Sequence, residues 1–107
     1  MKTILIVDDD DRIRGLLQQY LENNNFKILS LENGLYIEKY LGNIDLIILD
    51  VMMPKISGFD VIKKLKSLNI KIPVIFLSAK SETNDRIEGL ELGAYDYIAK
   101  PFEPKEL

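Results

Sequence analysis

Five side chains in this sequence could together handle phosphate, and each sits just past a short segment that reads as a strand: Asp8 and Asp9 after residues 3–7, Asp50 after 46–49, Ser78 after 74–77 and Lys100 after 95–99. Three carboxylates gathered in one place repel one another and raise at least one pKa, unless a hard divalent cation offsets their charge. An all-oxygen donor set of this kind suits Mg²⁺. With such an ion present, Asp50 is the best candidate nucleophile toward phosphorus. The Ser78 hydroxyl can donate to one phosphoryl oxygen, and the Lys100 ammonium can pair with another.

Each residue also has an ordinary explanation. An acidic run such as Asp8 to Asp11 commonly caps a helix and complements its dipole. Asp50 could simply end a strand, Ser78 could cap the next helix, and Lys100-Pro101 could be an edge strand meeting a breaker. Taken together, acid, acid, hydroxyl and ammonium at four equivalent strand ends favour the joint functional reading.

The elements behind these residues must bring them together. Residues 3–7, 46–49 and 74–77 are short, continuous and rich in β-branched residues, as strands buried on both faces are. Residues 26–31 and 95–99 complete a set of five strands. Ile13, Leu16, Leu17, Tyr20 and Leu21 fall on one face of a first helix, which Asp10 or Asp11 can cap. Residues 34–41 read as a short second helix. Phe59, Ile62, Leu65 and Leu68 mark a third, entered through Ser57-Gly58, and residues 85–92 a more polar fourth, closed by Gly93 in the left-handed conformation. Strand and helix alternate with short connections, which predicts one α/β domain: a doubly wound, five-stranded parallel sheet with right-handed crossovers, for which the strand order is taken as 2-1-3-4-5, the flavodoxin-like order. In that order β-strands one and three flank the point where the winding reverses, and ligands bind at the carboxyl ends there.

Composition narrows the chemistry further. The 107 residues contain neither cysteine nor histidine, which excludes disulfides, zinc thiolate sites and histidine-assisted nucleophiles within this sequence. The 14 basic and 17 acidic residues give a net charge of -3, so there is no basic field for nucleic acid. The apolar run at 4–7 is too short for a signal peptide or a membrane span, and a reducing cytoplasm is the expected setting.

The sequence resembles the response regulator receiver family of two-component signalling. The resemblance rests on Ile4-Leu5-Ile6-Val7-Asp8-Asp9-Asp10, Asp50-Val51-Met52-Met53-Pro54 with Gly58, Leu77-Ser78-Ala79, and Tyr97-Ile98-Ala99-Lys100-Pro101-Phe102. It implies that Asp9, Asp50 and the Met52 carbonyl ligate Mg²⁺ directly, that Asp8 acts through a water, and that Asp10 is not a ligand. It further implies that Asp50 accepts phosphate from a sensor histidine kinase, that Lys100 pairs with the phosphoryl group, and that the Lys100-Pro101 peptide is cis. Ser78 and Tyr97 would form the switch: the hydroxyl moves toward the phosphoryl group and the aromatic turns into the space it leaves. The domain would then be a regulatory phosphoacceptor that assists its own phosphorylation and dephosphorylation, not an enzyme acting on a separate substrate.

Within that family, Arg86, Glu91, Asp96 and the segment 102–107 resemble the OmpR/PhoB group, whose members carry a winged-helix DNA-binding domain. That resemblance implies a homodimer through the fourth helix, fifth strand and fifth helix, with Arg86 and Glu106 as one cross-subunit pair. The usual basic partners of Glu91 and Asp96 belong to a fifth helix absent from this sequence. DNA would be reached only through a further domain, and Pro104-Lys105-Glu106-Leu107 reads as the start of that fifth helix. The sequence is therefore expected to be cut short, leaving an apolar face that invites association. Tyr95 and Ser57 depart from the commoner acidic residues of the group without touching the phosphate chemistry.

Two other classes compete. Asp8-x-Asp10 after an apolar strand also resembles the haloacid dehalogenase nucleophile motif, with Asp8 attacking, but Arg12 stands where a hydroxyl or small residue is usual and no acidic pair follows Lys100. A flavodoxin-like cofactor carrier shares the topology, yet the loop after Val7 is acidic and lacks the small-residue amides that cradle phosphate.

Overall fold

The computed structural model describes residues 2–53, 55–78, 87–88 and 90–99, with Ser78 and Ala99 described as backbone only. Five strands, β1 (Thr3–Val7), β2 (Lys27–Leu31), β3 (Leu46–Leu49), β4 (Val74–Ser78) and β5 (Asp96–Ala99), form one sheet of order β2-β1-β3-β4-β5. Every neighbouring pair runs parallel, as expected from the alternating sequence. Helix α1 (Asp11–Asn23) follows β1, and α2 (Gly58–Ser67) precedes β4. Ile87, Glu88, Leu90 and Glu91 are helical within the expected fourth helix.

The continuous apolar character of β1, β3 and β4 follows from burial on both faces. Side chains alternate across a strand, so Leu5, Val7, Ile47, Leu49, Phe76 and Tyr97 join Phe59, Val61, Ile62 and Leu65 of α2 in one core. Ile4, Ile6, Ile48, Ile75, Leu77 and Ile98 join Leu17 and Leu21 of α1 in another. Both helices are capped at the start by a side chain that accepts an otherwise unpaired N–H: Asp10 Oδ1 from Arg12 N at 2.9 Å, and Ser57 Oγ from Asp60 N at 3.2 Å. Both also end alike. Asn25 (φ 69°) and Asn69 (φ 58°) adopt the left-handed conformation, which lets Phe26 N donate to Leu21 O at 3.1 Å and Ile70 N to Leu65 O at 2.9 Å. Asparagine tolerates this conformation better than most residues with a side chain.

Several sequence expectations shift. Residues 34–41 do not form an α-helix: only a four-residue 3₁₀ turn at Ile37–Tyr40 is present. Its bonds span three residues, Ile37 N to Gly34 O and Lys39 N to Tyr36 O, and glycines at 34 and 42 flank too few residues to sustain a helix. β2 starts at Lys27 because the Phe26 amide is spent closing α1. β5 starts at Asp96, one residue later than expected. Leu16 is half exposed: it lies about 100° around the helix from Leu17 and falls off the face that meets the sheet. Leu68, assigned to a buried helical face, is instead the exposed C-cap of α2.

Candidate functional site

Strand register decides where the acidic residues go. Val7 of β1 pairs with Leu31 on one side and Leu49 on the other. Asp8 and Asp50 therefore leave the sheet side by side at its carboxyl edge. Each extends the ladder by one more step, Asp8 N donating to Leu31 O at 3.1 Å and Asp50 N to Val7 O at 2.9 Å. Side chains fixed this way are only 2% and 4% exposed. Asp9 is exposed, yet carboxylate oxygens of Asp8, Asp9 and Asp50 all lie within 4.8 Å of one another.

Neutral amides hold two of these carboxylates. Asp8 Oδ1 accepts from Asp10 N at 2.9 Å, and Asp50 Oδ1 from Met52 N at 3.3 Å. Such donors ease the desolvation of buried carboxylates. A set of hard oxygen donors in this arrangement fits a hard dication such as Mg²⁺. Asp10 is engaged elsewhere, at the start of α1, where the Arg12 N–H holds its carboxyl below the ordinary value of 3.8.

Two further residues help to build the site: Gly58, read from the sequence only as part of the Asp50 segment and the entry to α2, and Arg14, not singled out from the sequence. An added Cβ on Gly58 would lie 2.2 Å from the Asp50 carbonyl oxygen, so this glycine lets the start of α2 press on the loop after β3. Its amide donates to Val51 O at 2.8 Å. Arg14 Nη1 donates to the Asp8 carbonyl at 2.6 Å, while Nη2 bonds the Asp11 carboxylate. A signal for Arg14 was available in its spacing, since side chains on a first helical turn lean back toward the amino end.

The remaining expected site residues divide. Ser78 pairs with Ala99 at the carboxyl ends of β4 and β5, and its side chain lies outside the described residues. Tyr97 is buried, 1% exposed, with its ring 5.8 Å from that of Phe76. Met52 lies two residues after Asp50, its side chain exposed. Glu91 and Asp96 are exposed, and Asp96 stands at the amino end of β5, opposite Ile75 and away from the acidic cluster. Lys100, Arg86, Glu106 and the Lys100-Pro101 peptide lie outside the described residues.

A model of the response regulator receiver domain matches residues 4–107. The chain belongs to the response regulator receiver family. The receiver is 44% identical over 108 residues to the response regulator SaeR of Staphylococcus epidermidis, covering 100% of this chain and 47% of SaeR. It is 47% identical over 106 residues to protein PetR of Rhodobacter capsulatus, covering 97% of this chain and 44% of PetR. The chain thus spans about half the length of these curated relatives. Among solved structures, the receiver domain of the Francisella response regulator 1452 superposes with a TM-score of 0.92 at 36% identity, covering 99% of this receiver and 89% of that chain. No helix among the described residues is long and apolar enough to cross a membrane.

Proposed function

We propose that this receiver accepts a phosphoryl group on Asp50 from a sensor histidine kinase, with Mg²⁺ held by Asp8, Asp9, Asp50 and the Met52 carbonyl. The observation that supports it is the convergence of Asp8, Asp9 and Asp50 within 4.8 Å at the carboxyl edge of β1 and β3. A bound Mg²⁺ supplies positive charge to phosphoryl oxygens and to the carboxylates. The Asp50 carboxylate oxygen forms the new P–O bond as the P–N bond of phosphohistidine breaks and its electron pair leaves with the imidazole nitrogen. Asp8 and Asp9 contribute the charge that retains the ion, and the ladder bond from Asp50 N to Val7 O keeps the attacking carboxylate in register. Lys100 pairs with the transferred group and Ser78 donates a hydrogen bond to it. These steps make the chain a regulated acceptor that aids its own phosphorylation and dephosphorylation.

Output follows from Ser78 and Tyr97. Tyr97 lies against Phe76 in the core, a position whose occupancy can couple to the hydroxyl of the neighbouring strand. The face built from the fourth helix, β5 and a fifth helix, with Arg86, Glu91, Asp96 and Glu106, then controls dimerisation. Transcriptional control by an OmpR/PhoB-type regulator in the cytoplasm fits the family, with DNA contacted through another domain of a longer protein. The net charge of -3 favours that division of labour.

Incubation with acetyl phosphate and Mg²⁺, followed by intact mass measurement, tests the reading. One added phosphoryl group is expected, removed by chelation of the metal beforehand. No mass gain under any small phosphodonor would overturn the assignment. In the longer protein, Tyr97→Ala should weaken phosphorylation-dependent dimerisation or output, and an unchanged response would remove Tyr97 from the switch.

A further inference from the structure

We infer that Arg14 is a positioning residue for the acidic site: it orients Asp9 by holding the peptide that joins Asp8 to Asp9. This rests on the metal-binding reading above. Asp8 and Asp50 are fixed by sheet ladder bonds, whereas Asp9 lies one residue beyond the ladder and is exposed. The carbonyl that Arg14 grips at 2.6 Å belongs to the Asp8–Asp9 peptide. Because that unit is planar, fixing its oxygen sets the direction in which Asp9 departs.

The Arg14 side chain is only 17% exposed, while its partner Asp11 is 85% exposed. An unpaired guanidinium beside a cation site would repel the ion. Here the Asp11 carboxylate bonds Nη2 and cancels that charge locally, so the pair delivers an N–H donor to the loop without a net positive field. Two opposite effects can therefore be separated. If Arg14 acted only through charge, its removal would leave Asp11 uncompensated and tighten metal binding. If it acts by position, removal loosens Asp9 and weakens binding despite the added negative field.

Calorimetric titration of the chain with Mg²⁺ decides between them, using wild type, Arg14→Met and Arg14→Lys, with circular dichroism to verify folding. Arg14→Met is expected to bind Mg²⁺ about tenfold more weakly, the scale seen when partners that orient metal ligands are lost. The deficit should persist at high salt, where a coulombic effect would be screened. Saturating Mg²⁺ should restore most of the acetyl phosphate reaction rate. Arg14→Lys cannot span both the Asp8 carbonyl and Asp11, and should fall between the two. If Arg14→Met does not fold, Arg14→Lys carries the test by the same criterion. Unchanged or tighter Mg²⁺ binding in the folded variant overturns the role of Arg14 alone. A wild-type chain that binds no Mg²⁺ instead overturns the metal reading on which it rests.

Discussion

Two aspartates flank β3, Asp45 before it and Asp50 after it, and they meet opposite fates. Asp45 sits at the amino edge of the sheet in the open, its Oδ2 accepting from Thr3 N at 2.9 Å, a link between segments 42 residues apart. Asp50, five residues on, is buried with a second buried carboxylate, Asp8, beside it. The first acts as a solvated clasp that steadies β1 against β3. The second is a buried carboxylate gathered with two others at one edge of the sheet. Strand polarity makes the difference: in a parallel sheet all carboxyl ends share one edge, so polar residues placed there by sequence converge.

The largest contrast is expected between two glycines on either side of β3. Gly58→Ala would drive a methyl into the Asp50 backbone, and should destabilise the fold by about 1–3 kcal/mol, as overpacking does, with a slower phosphorylation rate. Gly42, on the amino side, has open space around it, and Gly42→Ala should leave both nearly unchanged. Urea denaturation and acetyl phosphate kinetics measure the pair. Equal effects would remove the special constraint on the carboxyl edge.

A smaller contrast concerns charge. Asp50→Asn relieves repulsion with Asp8 and Asp9, and without metal should raise stability by roughly 1 kcal/mol, given the cost of crowded buried carboxylates. Asp45→Asn weakens a charge-assisted hydrogen bond and should lower stability by about 0.5 kcal/mol. Thermal melts without Mg²⁺ give both signs. Added Mg²⁺ should then raise the melting temperature of wild type and of Asp45→Asn more than that of Asp50→Asn. A stabilised Asp45→Asn, or a destabilised Asp50→Asn, would erase the distinction between clasp and site.

The smallest effect is expected at the start of α1. The Asp10 carboxyl is held below 3.8 chiefly by the Arg12 amide. A depressed folded-state pKa contributes stability that is present above the unfolded value and lost as pH falls through the folded one. Wild type should therefore lose an increment of stability below about pH 3.8 that Asp10→Asn does not lose, measurable as converging melting temperatures in acid. Curves that stay parallel there would show that the cap bond does not depend on ionisation.

Much of the sheet was legible because buried parallel strands are written as unbroken apolar runs. β1 and β3 fall at the expected residues, and Asp8, Asp9 and Asp50 stand at their carboxyl ends as anticipated. Alternation and handedness pointed to a doubly wound sheet, and the order β2-β1-β3-β4-β5 agrees with the one taken for that fold. What could not be read depended on three-dimensional neighbours. Residues 34–41 contain helix formers, but their fate was set by glycines and by ties such as Lys64 Nζ to Leu35 O at 3.2 Å and to Glu38 at 2.8 Å. Leu16 looked like a core residue until the width of the sheet-facing surface was known. Gly58 and Arg14 act on backbone carbonyls, so the motif that holds Gly58 and the spacing of Arg14 were visible while their contacts were not.

Mapping the phosphorylated atom tests the central claim most directly. After reaction with acetyl phosphate and Mg²⁺, borohydride reduction converts an acyl-phosphate aspartate to homoserine, and peptide sequencing by mass spectrometry locates it. The account predicts homoserine at position 50 in wild type and at no position in Asp50→Asn. Homoserine at position 8, or labelling that survives Asp50→Asn unchanged, would contradict it.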